Sequence, residues 1–208
     1  MHNHEHGHHH SHSDEKTIKR IGILSLWNLA FGGTVLYIGN RLGSPIIQMQ
    51  GVHDTLDGGL NAIKYIAAKQ KNTAREIAWR KVAILSLGAS ALGFGGYELA
   101  EELQHTPMPD PYSLPTAYGA LAANMLGAGL ILGVKSNEKS RDAITHAVMF
   151  DLPASFVTVA ATHFEGMQSL GSVSSFAETG GIIIHMGLAG YAVSHTLKDI
   201  NTDTNTLR

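Results

Sequence analysis

Long apolar runs broken by short polar segments dominate this chain. Six of them, about Ile21 to Ile38, Ser44 to Ala68, Val82 to Leu99, Ala117 to Val134, Ala143 to His163 and Gly180 to Leu197, approach the roughly 17–25 residues that carry a helix across hydrocarbon. The pattern predicts an all-α fold, a six-helix transmembrane bundle. The first, third and fourth runs are apolar enough to be recognised by hydropathy alone. The second and fifth carry ionisable side chains in their interiors and stand out for that reason.

The basic residues test this partition independently, because Lys and Arg collect in the cytoplasmic loops of a membrane protein. Lys16, Lys19 and Arg20 precede the first run. Lys64, Lys69, Lys71, Arg75, Arg80 and Lys81 lie between or at the edges of the second and third. Lys135, Lys139 and Arg141 separate the fourth and fifth, and Lys198 and Arg208 follow the sixth. Only Arg41 falls on the opposite side, where Glu101, Glu102, Asp110, Glu165 and Glu178 collect. Both termini are therefore expected in the cytoplasm. The expected organisation is a disordered histidine-rich tail over 1–15, one membrane domain over 16–198 and a short tail over 199–208. The first run has full span length and no small-residue cleavage site, so it is expected to stay attached. A multi-pass protein of the cell (inner) membrane, in contact with lipid, follows.

Composition agrees. Only 15% of residues are charged, against roughly 25% in a typical soluble domain. The formal net charge of −2 gives no reason to expect a nucleic acid partner. There is no cysteine, which excludes thiolate metal sites and thiol nucleophiles, so a metal would have to bind to His, Asp, Glu or backbone oxygen.

The stretch GVHDTLDGG in the second run supplies such ligands. On a helix, residues four apart share a face, so His53 and Asp57 point together while Asp54 points elsewhere. Imidazole with carboxylate suits a zinc-like divalent ion, but a tetrahedral site needs about four ligands. The fifth run, in THAVMFDLPAS, offers His146 and Asp151. At about 1.5 Å per residue, His53 to Asp57 lie about 14 to 20 Å into their run and Asp151 about 12 Å into an antiparallel one, so both reach the middle of a core about 30 Å thick. Charged groups at that depth cost about 2.5–3.5 kcal/mol each and mark ion or proton pathways. His146 is five residues from Asp151, about 140° away on a regular helix. Pro153, which clashes with the carbonyl of Met149, is expected to distort that turn.

Taken in order, these residues resemble the cation diffusion facilitator family, transporters of zinc and related divalent metals. The family's second span has a serine, then Asp, Ala, any residue, His, and an Asp four residues further on. Here SPIIQMQGVHDTLD supplies Ser44, His53 and Asp57, with Gln50 in place of the first aspartate. Asn28, WRKVAIL opening the third span, Glu98 to Glu102 closing it, and FAETGG entering the sixth extend the likeness over about 16 to 198. The resemblance implies a metal site of His53, Asp57 and Asp151, with DLPAS matching the family's Asp and, four residues later, Ser155. The family's fourth ligand stands four residues before that aspartate, where this chain has Ala147, with His146 one residue away. The likeness covers the transmembrane domain and not the family's soluble carboxyl-terminal domain. A homodimer would then rest on the membrane part alone. The small-residue stripe Ser86, Ala89, Gly93 and Gly96 suits close helix approach, either between two copies or within one.

The expected function is proton-coupled export of a divalent cation, zinc first. Zinc is the transported substrate and protons are the coupling ion. The tract MHNHEHGHHHSHS would concentrate metal near the inner mouth. His185 reads as a packed polar residue, and Asp54 as solvated or paired with a nearby lysine. The glycine pairs Gly32-Gly33, Gly58-Gly59, Gly95-Gly96 and Gly180-Gly181 read as points where helices can tilt. Two alternatives stay open: a zinc-dependent intramembrane hydrolase, and a metal-binding membrane protein that does not transport.

Overall fold

The computed structural model describes residues 9–69, 73–104, 110–132, 151–167 and 172–205. Among these the chain is entirely helical, with no strand. Six helices follow one another: α1 (His9–Leu42), α2 (Pro45–Lys69), α3 (Ala74–Glu102), α4 (Ser113–Leu132), α5 (Leu152–Glu165) and α6 (Ser172–Asn205). Each apolar run lies largely within one helix. The expected first, third and sixth spans are parts of longer helices, so α1 continues back into the histidine-rich stretch and α6 runs on to Asn205. Two helices, α1 over Glu15–Leu42 and α3 over Ala74–Glu102, are long and apolar enough to cross a membrane.

Local signals in the sequence set the helix ends. Gly43, at φ +63°, ends α1. Its N–H reaches Asn40 O and the Ser44 N–H reaches Gly39 O, the paired bonds of a glycine-terminated helix. Pro45 then opens α2 at the position where a missing N–H has no consequence. Thr73 opens α3 with a reciprocal cap. Its hydroxyl accepts from Glu76 N, and its own N–H donates to the Glu76 carboxylate at 3.0 Å.

α2 is the centre of the assembly and packs against all five other helices. Its closest partner is α1. Gly39 and Gly32 of α1 face α2 so tightly that a Cβ on either would stand 2.6 Å from a backbone nitrogen, of Gln48 and Thr55 respectively, and a Cβ at Gly58 would meet Leu29 N at 2.7 Å. The glycine pairs therefore work as contact points. Gly32, Gly58, Gly95 and Gly181 are all occupied by a neighbouring helix, while Gly33, Gly96 and Gly180 face open space. Gly93 is also open, and Ser86 and Ala89 are exposed, so the small-residue stripe of α3 faces away from the rest of the described chain.

The interior is layered along α2. Ile46, Ile47 and Met49 pack with Val35, Ala120, Ala161 and Ile182 near its start. Leu56, Leu60 and Ile63 pack with Ile77, Ile84, Ala91, Ala189 and Ala192 towards its end. Gln50, His53 and Asp54 lie between the two clusters and Asp57 beside Leu56 at the edge of the second, all buried. Outward faces carry large apolar residues such as Leu26, Val82, Leu126, Phe156 and Ile183. The interior thus holds a polar belt between two apolar layers, while large apolar side chains are also exposed outside.

Candidate metal centre

His53 and Asp57 project from consecutive turns of α2, as their spacing requires, with His53 Nε2 3.2 Å from Asp57 Oδ2. Asp151 reaches the same point from the turn just ahead of α5, its Oδ1 3.9 Å from His53 Nε2. The backbone at Asp151 is helical, at φ −67° and ψ −44°, two residues before Pro153. The turn that Pro153 is expected to distort, over 146–150, lies outside the described residues. The exposures are 1% for His53, 1% for Asp57 and 6% for Asp151.

One ligand atom from each of these three residues lies within 4.8 Å of the other two. Donors bound to zinc at about 2.0–2.2 Å in a tetrahedron stand about 3.3–3.6 Å apart. The separations of 3.2 Å and 3.9 Å bracket that value. Two carboxylates and an imidazole enclosed together require protons or a cation to offset their charge. The donor set, one nitrogen and two oxygens without sulfur, suits a divalent ion between the hard and borderline classes.

Three of the expected ligands therefore converge. His146 lies outside the described residues. Asp54 differs from expectation, being neither solvated nor placed by a lysine. It is 1% exposed, and its Oδ1 accepts from Gln50 Nε2 at 2.8 Å and from Asn124 Nδ2 at 2.9 Å. Asn124, on α4, also donates to Ser155 Oγ at 2.8 Å, and Ser155 donates to the Asp151 carbonyl at 3.0 Å. A polar belt thus runs from α2 through α4 to the turn that carries Asp151.

Thr158 of α5, which the sequence did not mark out, also stands here, with its Oγ1 2.9 Å from Gln50 Oε1, and His185 of α6, buried as its reading as a packed polar residue expects, places its Nε2 2.9 Å from that same hydroxyl. The His185 ring meets the His53 ring edge to face, 5.5 Å between centroids. His185 lies about 20 Å along α6 from Ser172, at about 1.5 Å per residue.

No protein-family model, curated protein or solved structure matches the chain. Function must be read from the side chains.

Proposed function

We propose that this chain is a six-span protein of the cell membrane, with both termini in the cytoplasm, that exports a divalent cation, zinc first, in exchange for protons. The observation that carries this reading is the enclosure of His53, Asp57 and Asp151, contributed by two separate helical segments, between two apolar layers. The skewed distribution of Lys and Arg supports the orientation, and the large apolar side chains exposed on the outward faces support the membrane setting. The likeness to the cation diffusion facilitator family belongs to the same proposal and rests on the residues already named. His146 enters it as a further ligand on sequence grounds alone.

The coupling follows from competition. A metal binds to neutral imidazole and ionised carboxylate, so its arrival displaces protons and a proton arriving at the same lone pair displaces metal. If the site opens to one side at a time, protons entering from the outer side release the cation there. His53 is the residue suited to this exchange, since it faces both carboxylates.

The test is flux. Proteoliposomes holding a zinc-sensitive dye should show zinc uptake coupled to proton movement, and Asp57→Asn should abolish both. Binding without flux, or flux that survives Asp57→Asn, would overturn the proposal.

A further inference from the structure

We infer that His185 of α6 is the fourth ligand of the metal centre, presented through Nδ1 and held in the required tautomer by Thr158. The inference rests on the metal-site reading above and supplies what that site lacks. His53, Asp57 and Asp151 provide three donors within 4.8 Å of one another, and a closed tetrahedral site needs a fourth; His185 stands beside this group but outside that distance, so a bound ion would have to draw its ring inwards.

The tautomer can be followed atom by atom. Gln50 Nε2 donates to Asp54 Oδ1 at 2.8 Å, which fixes the amide orientation and turns Gln50 Oε1 towards Thr158. Thr158 Oγ1 has one proton and three neighbours: Gln50 Oε1 at 2.9 Å, Ala154 O at 3.2 Å and His185 Nε2 at 2.9 Å. The two oxygens can only accept. If the hydroxyl proton went to His185, both would face a lone pair of Thr158 with nothing between. The proton therefore belongs to an oxygen, and His185 Nε2–H donates to Thr158. Nδ1 is left with its lone pair.

That nitrogen is buried with no hydrogen-bond partner, on a side chain that is 0% exposed. A buried acceptor left without a donor is destabilising, because it has given up water and gained no partner. Its ring is already in edge contact with His53, 5.5 Å between centroids, beside the triad. A metal-bound histidine characteristically donates its other N–H to a polar partner that sets its tautomer, which is the part Thr158 takes here. Gln50, where the resembling family has an aspartate, then serves to orient Thr158.

Cobalt(II) titration of the purified full-length protein in detergent tests this, because tetrahedral and higher-coordinate Co2+ differ in visible absorption. The histidine-rich tail contributes alike to every variant and cancels in the differences. The expected result is a tetrahedral band that Asp57→Asn removes and that His185→Gln weakens and shifts, with at least a tenfold loss of affinity. Thr158→Val, which keeps the imidazole and loses its partner, should retain the band and bind about 10–100-fold more weakly. If the Asp57-dependent band is unchanged in His185→Gln, the inference fails and the metal site stands. If no band depends on Asp57, the site reading itself fails, and this inference with it. Should His185→Gln not fold, Thr158→Val decides alone, and unchanged affinity there overturns the inference.

Discussion

Asn124 on α4 donates a hydrogen bond to Asp54 on α2 at 2.9 Å. With its second bond, to Ser155 at 2.8 Å, it ties three helical segments together at the level of the candidate metal centre. Asn124→Leu removes both donors and leaves Asp54 to Gln50 alone. Hydrogen bonds between membrane helices contribute about 0.6–2 kcal/mol each, so a loss of about 1–3 kcal/mol is expected. Thermal unfolding in detergent, followed by loss of helical circular dichroism, measures it.

Asp151→Asn should separate function from stability. On the proposed function it removes a metal ligand, so zinc flux should vanish. It also removes a carboxylate from the immediate surroundings of Asp57, so the metal-free protein should be no less stable than the parent. Zinc should raise the melting temperature of the parent and leave that of the variant unchanged. At a concentration of 100 times Kd, ligand binding contributes about 2.7 kcal/mol. An equal zinc shift in both proteins would show that Asp151 is not a ligand.

Metal affinity should fall with acidity. Protons occupy the donor atoms that a cation uses, so affinity is greatest at high pH and decreases by about tenfold per pH unit for each proton displaced. Zinc titration of the parent at several pH values gives that slope. His53→Gln should flatten it by one proton, and an unaltered slope would remove His53 from the exchange.

The α1–α2 interface gives a paired test on glycine. A Cβ at Gly39 would lie 2.6 Å from the backbone nitrogen of Gln48, whereas one at Gly93 would meet nothing within 4 Å. Gly39→Val should abolish recovery of monodisperse protein in detergent, because a backbone neighbour cannot yield. Gly93→Val should be recovered as the parent is. Similar recovery of both would mean that the α1–α2 contact is looser than described.

Thr73→Ala should weaken α3 without touching the metal centre. It removes the side-chain half of the reciprocal cap, worth about 1 kcal/mol at a helix start. Melting temperature should fall while zinc flux well below that temperature is unchanged.

Much of the site was legible from spacing. His53 and Asp57 share a face because they are four apart, and the depth of Asp151 followed from counting residues in an antiparallel run. The placement of Asp54 was not, because its exclusion assumed a helix with one buried side. α2 is enclosed by five helices, so a residue about 100° away from His53 is buried as well. That His185 and Thr158 stand at the site was hidden for a related reason, since hydropathy reports how deep a residue lies and not how its helix is rotated. The glycines that matter are spaced along the α1–α2 contact, and adjacency in the sequence drew attention to the wrong relationship. The helix ends were partly readable, because Gly43, Pro45 and the Thr73–Glu76 pair carry their own chemistry.

The layering along α2 has a consequence for leakage. With Ile46, Ile47 and Met49 towards one end of the polar belt and Leu60 and Ile63 towards the other, the exchanger proposed above would here be occluded, closed by apolar residues on both sides. On that proposal neither proton nor metal would pass until one side parts, and no gradient would be dissipated only if the two never part together. The α1–α2 pair, locked glycine to backbone, would then move as a single rigid arm, carrying His53 and Asp57 towards or away from Asp151 as each side yields in turn.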